Sequence, residues 1–201
     1  MSKNVVITGL GFITSIGNSK GEVLNSLKNS ISGIELYDGF AGDKIPVKCL
    51  GTIKGFNTES FDYEDWIYPE QYSVRREVMR GFSPHCLYAY CAMKQAIEDA
   101  NLSESDISNV ETGMYTASAG STSMLVDNMA RLDKLGVMRC SPMGVVSSVV
   151  GTLSFNLVSA FKIKGASCGF ASACASSSHA MGFAFDEISS GRQKRMFVVG
   201  G

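Results

Sequence analysis

The residues best placed to do chemistry lie near the end of the chain. The small-residue run Ala171-Ser172-Ala173 leads directly into Cys174, which is followed by Ala175-Ser176-Ser177-Ser178-His179-Ala180-Met181-Gly182. A cysteine where a strand gives way to a helix faces unpaired backbone N–H groups and the positive end of the helix dipole. Those groups favour thiolate over thiol, and a thiolate is a nucleophile. The cysteine's own N–H can also point at an oxyanion developing on an attacked carbonyl. Ala173, Ala175 and Ser176 leave room for such a carbonyl, and Ala180, Gly182 and Ala184 suit a helix face packed close to its neighbours. Spacing alone leaves a second reading open, a structural thiol, because free Cys is among the most buried residue types. His179 lies five positions on, about 140° around the helix from Cys174. It is expected to be a hydrogen-bonded core histidine with no catalytic role.

Other patterns fall short of a chemistry. Gly165-Ala166-Ser167-Cys168-Gly169 matches the G-x-S-x-G elbow of α/β-hydrolases, but no acid lies between Ser167 and His179, so the Ser–acid–His order cannot be assembled. Gly9-Leu10-Gly11 follows an apolar run, but Thr14 stands where a dinucleotide fingerprint needs its third glycine. A tight turn leaving a core strand is the expectation there. The cysteines at 49, 86, 91, 140, 168 and 174 include no C-x-x-C pair, so neither a zinc ribbon nor a redox pair is indicated, and no metal or cofactor is expected.

The elements that must position Cys174 can be read from periodicity. Val5-Val6-Ile7-Thr8 reads as a buried first strand. Residues 22–28 read as a short helix capped by Ser19, with Val23, Leu24 and Leu27 on one face. Residues 39–53 suggest an edge strand and loop. Ser83-Pro84 opens the clearest helix, with Ser as cap, Pro in its first turn, and an apolar stripe of Cys86, Tyr90, Met93 and Ile97 closed by Asn101. Thr112–Ala117 reads as a strand, Ser118-Ala119-Gly120-Ser121 as a turn and Thr122–Leu135 as an amphipathic helix. Pro142 leads into a buried helix reaching about Ala160. Residues 166–173 form a small-residue strand, 175–190 a helix stopped by Gly191, and 196–199 a last strand. Helices alternating with β-branched runs specify an α/β architecture.

Composition bounds the function. The 201 residues carry 18 basic and 19 acidic side chains, a net charge of −1, with 45% hydrophobic and 18% charged residues. Ordinary domains carry about 25% charged residues, so the buried fraction is large and disorder is excluded. No basic footprint points to nucleic acid. The uncharged stretches 140–161 and 165–185 are long enough to span a bilayer but too rich in Ser, Asn and Gly, and read as buried elements. The N-terminus lacks a cleavage site and is not read as a signal peptide. Six sparse cysteines suit free thiols in a reducing cytoplasm. The cluster Arg75, Arg76, Arg80 reads as a solvated face.

Ser172-Ala173-Cys174-Ala175-Ser176-Ser177-Ser178-His179-Ala180-Met181-Gly182 resembles the nucleophile segment of β-ketoacyl-acyl-carrier-protein synthases. The opening Val5-Val6-Ile7-Thr8-Gly9-Leu10-Gly11, Ser15-Ile16-Gly17-Asn18, Gln95-Ala96-Ile97-Glu98-Asp99-Ala100, Ser141-Pro142, Phe161-Lys162-Ile163-Lys164-Gly165 and Val198-Val199-Gly200-Gly201 fall in the family's register, so the resemblance covers nearly the whole chain. It implies an α/β, thiolase-like fold, of which residues 1–201 form the N-terminal half, with a mixed sheet covered by helices on both faces. It implies transfer of an acyl chain from acyl carrier protein to Cys174, then decarboxylative condensation with malonyl-carrier protein in fatty acid elongation. Carried onto this chain, Cys174 is the nucleophile and its N–H half of the oxyanion hole. Thr116, Ala117, Ser118 and Ala119 lie beside the acyl pocket, and Arg76 and Arg80 dock the acidic carrier, although Glu77 departs from the family's basic pattern there. The family is homodimeric, with the strand before the nucleophile near the dimer axis. Its second half supplies two catalytic His, a Lys and the other oxyanion N–H, which His85 and His179 do not match. The chain is therefore expected to be an incomplete enzyme, able to accept an acyl group but not to condense efficiently. The unusually aromatic and acidic stretch 55–71 suggests a divergent substrate. The alternatives are a polyketide or aryl-polyene ketosynthase, or a non-catalytic partner subunit, against which the presence of Cys174 argues.

Overall fold

The computed structural model describes residues 4–37 and 46–201. Its centre is a three-stranded parallel sheet of β3 (Thr112–Ala117), β4 (Ser167–Phe170) and β5 (Arg195–Gly200), in the order β4-β3-β5. β3 is the middle strand and is buried along its whole length, as a strand covered on both faces must be. Its register sets Thr116 opposite Gly169 and Val199, and Ala117 opposite Phe170 and Gly200. β1 (Ile34–Leu36) and β2 (Cys49–Gly51) form a separate antiparallel ribbon. Of the expected strand at 39–53, residues 39–45 lie outside the described residues, and the rest is β2 and loop.

Connection order explains the layers. The chain passes from β3 through α5 (Thr122–Leu135) and α6 (Thr152–Ala160) to β4 on one side. It then returns through α7 (Ser176–Ser189) to β5 on the other side of β3. Right-handed crossovers running in opposite directions put their helices on opposite faces. Accordingly Met114, Phe197 and Val199 pack with Cys86 and Leu87 of α3 (Pro84–Asp99) and with Leu153 and Leu157 of α6. Tyr115 and Ala117, one residue out of phase along β3, pack on Ala180 and Ala184 of α7. The first face carries the main core, which Trp66 and Tyr72 from the aromatic 55–71 stretch and its continuation also join.

α1 (Lys20–Lys28) is capped by Ser19 as expected, and Glu22 returns a bond to the Asn18 N–H at 2.7 Å. Its buried positions are Val23 and Ser26, whereas Leu24 and Leu27 are exposed, which corrects the expected apolar face. Residues 5–8 join neither sheet, and Val6 and Ile7 are exposed. The reason lies just beyond them. Methyl groups on Gly9 and Gly11 would overlap the carbonyl oxygens of Ala96 and Ala92, so this segment lies directly on α3. There the Leu10 and Phe12 N–H groups donate to the side chains of Asp99 and Gln95, both at 3.0 Å. The two glycines serve close approach to a helix rather than a turn. Pro142 is followed by turns, and the helix expected there begins only at Thr152. Among the described residues no helix is long and apolar enough to cross a membrane.

Candidate active site at the strand-to-helix corner

The three parallel strands end level with one another. The Ser118 N–H extends the β3–β4 ladder to the Phe170 carbonyl at 3.2 Å, and the Gly201 N–H reaches the Ala117 carbonyl at 3.0 Å. The carboxyl end of a parallel sheet is where α/β proteins gather reactive groups, because the loops that follow the strands converge there. Here the loop after β4 is the corner 171–175, and the loop after β3 is 118–121.

The corner is tight. Ala173 has φ +50°, a left-handed conformation disfavoured for a residue with a Cβ. Around it the Ala175 N–H donates to the Ser172 carbonyl and the Ser176 N–H to the Ala173 carbonyl, both at 3.1 Å. The buried Ser176 hydroxyl donates to the Ala173 carbonyl and accepts the Ser172 N–H, each at 2.7 Å. Cys174 is the apex of these turns, two residues ahead of the first residue of α7, and it is exposed. The accessible apex removes the reading of a buried structural thiol. By contrast Cys86 and Cys91 are fully enclosed. Burial pushes both thiols up, Cys91 to about 12. Cys168 is exposed on β4, three residues before the corner, with its Sγ 3.7 Å from the Gly169 carbonyl.

His179 is not the core histidine expected. It is exposed, and its Nδ1 lies 3.0 Å from the Ser172 hydroxyl. Helical angle relates His179 to Cys174 alone, whereas the left-handed turn at Ala173 carries Ser172 back over the first turn of α7. Gly182 also departs from expectation. It lies on the open side of α7 with nothing against it, while Ala180 and Ala184 make the close contact with the sheet.

Of the residues expected beside the acyl chain, Thr116, Ala117 and Ser118 are buried and Ala119 is exposed. They occupy the end of β3 and its turn, next to the end of β4 from which the Cys174 corner springs. Thr116 faces the same side as Ser154 of α6, and Ala117 faces α7. The Ser118 hydroxyl accepts the Gly120 N–H at 3.1 Å, and Gly120 sits at φ +80° with its back against residues 148–150.

Arg76 and Arg80 lie one helical turn apart at α2 (Arg76–Met79) and its end, and both are exposed. Arg76 is ion-paired with Glu64, whose carboxyl is held below the usual range chiefly by that bond, with help from the Tyr63 hydroxyl and the nearby Arg80. Arg75 lies 3.4 Å from Glu77. The cluster is thus partly neutralised by acids, one from the 55–71 stretch, a pairing invisible in the linear sequence. Among the described residues no three His, Cys, Asp or Glu side chains gather to hold a metal.

A parallel α/β sheet with an accessible thiol at a strained corner after its edge strand defines a class, that of α/β proteins presenting a cysteine at the start of a helix. Residues 2–201 match the family described as beta-ketoacyl synthase, N-terminal domain. The chain belongs to that family. It is 37% identical over 200 residues to 3-oxoacyl-[acyl-carrier-protein] synthase 1 of Haemophilus influenzae, covering 98% of this chain and 46% of that protein. To the same-named protein of Escherichia coli K12 it is 33% identical over 202 residues, covering 99% and 47%. The chain spans about half the length of the curated relatives it matches. Among solved structures, a beta-ketoacyl synthase from Burkholderia phymatum superposes with a TM-score of 0.77 at 24% identity, over 96% of this chain and 45% of that one. The ishigamide ketosynthase/chain length factor superposes at 0.75 and 21%, over 96% and 46%. The ketosynthase fold is therefore shared.

Proposed function

We propose that residues 1–201 act as the N-terminal domain of a β-ketoacyl-acyl-carrier-protein synthase of fatty acid elongation, with Cys174 as the acyl acceptor. The observation that carries this reading is the accessible Cys174 sulfur at the apex of the corner that ends β4. In the first half-reaction the Cys174 thiolate attacks the thioester carbonyl of an acyl carrier protein. The carbonyl π pair moves to oxygen, the tetrahedral oxyanion collapses, and the carrier's thiolate leaves. The corner's internal bonds engage the N–H groups of Ala175 and Ser176. The Cys174 N–H is not among those donors, which supports its use on the oxyanion. Ala117, Ser118 and Ala119, at the neighbouring strand end, line the approach of the acyl chain. Decarboxylation and condensation draw on groups beyond this domain.

In this reading Arg76 and Arg80 meet the acidic carrier, acting mainly on encounter rate. The enzyme is a cytoplasmic homodimer. β4 supports the dimer, since it is an edge strand with exposed residues and an open row of backbone groups. Incubation of the whole polypeptide with an acyl-carrier thioester is expected to add one acyl mass, and Cys174→Ala to abolish it. Unchanged uptake by Cys174→Ala overturns the reading. An oligomerisation partner without chemistry, the second possibility, takes up no acyl group even as wild type.

A further inference from the structure

We infer that His179 and Ser172 together position the nucleophile. This rests on the reading of Cys174 as acyl acceptor. The two residues lie on opposite sides of Cys174 in sequence, Ser172 on the strand side and His179 in the first turn of α7. Their side chains meet at 3.0 Å, as a hydrogen bond in which either partner can donate, depending on the imidazole tautomer. The Ser172 N–H is tied to Ser176, and the His179 N–H to the Ala175 carbonyl at 3.0 Å. The pair therefore closes a clasp across the one non-glycine residue of the corner that sits in the left-handed region, Ala173. An unfavourable backbone conformation persists only where surrounding bonds over-determine it. Releasing the clasp lets residues 172–174 relax, and the Cys174 sulfur and N–H no longer share one aim. The His179 ring bonds to Ser172 and makes no hydrogen bond to the Cys174 sulfur among the described residues, so it is a positioning residue, and its effect falls on acyl transfer, which needs both groups aligned. Simple alkylation needs only an accessible sulfur.

The test uses the whole polypeptide. Single-turnover acylation of Cys174 by an acyl-carrier thioester is followed by mass spectrometry beside its alkylation by iodoacetamide. His179→Leu and Ser172→Ala are each expected to slow acylation about tenfold, since misplacement of a reacting group by an ångström can cost more than that. The double variant is expected within about twofold of either single, because both remove one interaction. His179→Asn sets an amide near the Nδ1 position and is expected to recover wild-type acylation to within about threefold, by the same positioning argument. Iodoacetamide alkylation stays near wild type throughout. Wild-type acylation in His179→Leu, additive losses in the double variant, or Asn as slow as Leu overturns the inference. Ser172→Ala, a small change at an exposed position, decides if His179→Leu does not fold. If Cys174→Ala still takes up the acyl group, it is the nucleophile reading that fails, a result distinct from all of these.

Discussion

Cys174 and the enclosed thiols illustrate how one residue type is divided by its surroundings. At Cys91 the protein packs out water, and an ionised sulfur has little to solvate it, so burial raises the thiol from its ordinary 9.0 to about 12. At Cys174 the same side chain stands in the open on a turn. Iodoacetamide at mildly alkaline pH is therefore expected to label Cys174 while sparing Cys86 and Cys91 until the protein unfolds. Protection of Cys174 alongside full labelling of Cys91 would contradict the burial found here. A pH dependence follows. Between pH 9 and about 12 folded Cys91 keeps a proton that the unfolded chain loses, so the folded state binds more protons there. Its contribution to stability is complete below pH 9 and declines as pH rises toward about 12. Urea midpoints measured across that window are expected to fall, and less steeply in Cys91→Ala than in wild type.

Corner and helix work as one element. The left-handed Ala173 costs roughly 1–2 kcal/mol of backbone strain. Ala173→Gly releases it but adds roughly 0.5–1 kcal/mol of unfolded-chain entropy. A net gain of about 0.5 kcal/mol is expected in urea unfolding, since these two terms oppose. Acylation slows in the same variant, because glycine no longer confines the apex, and a destabilised Ala173→Gly would contradict the strain argument. This corner also marks where sequence reading stops. Hydrophobic period and the Ser-Pro start signal place Thr112–Ala117, Thr122–Leu135 and the helix start at Pro84 at the bounds observed, although the Ser83 hydroxyl makes no cap bond and lies against His85 and Cys86 instead. They place Cys174 at the start of α7 as well. They do not show that Ser172 turns back over His179, because one residue with positive φ reorients everything before it and leaves no periodic trace. Residues 5–8 fail for a related reason. A β-branched run signals an extended chain, but whether it joins a sheet depends on a partner edge that only the tertiary structure supplies. Glu64 and Arg76 lie on separate turns whose meeting no local pattern encodes.

At the scale of the molecule, one face of α7 is spent on the sheet and the other is open. Met181, Phe183 and Phe185 are each more than half exposed, as are Val126, Met129 and Leu135 on α5. Exposed apolar patches of this kind mark association surfaces. They fit the expectation, from the resemblance, that this domain works against further protein surface, and sedimentation of the whole polypeptide is expected to give a dimer. In the proposed reading the charged edge at α2 acts over longer range. Arg76→Glu with Arg80→Glu is expected to slow association with the acyl-carrier protein by about tenfold at low ionic strength, with little change at high salt where such steering is screened. Stopped-flow association across a salt series measures it, and a defect that persists undiminished at high salt would point to a packing role instead. The most direct measurement is peptide mapping of the whole polypeptide after acylation by a carrier-bound thioester. The acyl group is expected on Cys174 alone, with none on Cys168 six residues upstream or on Cys86 in the core. An acyl group carried by either of those, with Cys174 unmodified, contradicts the account.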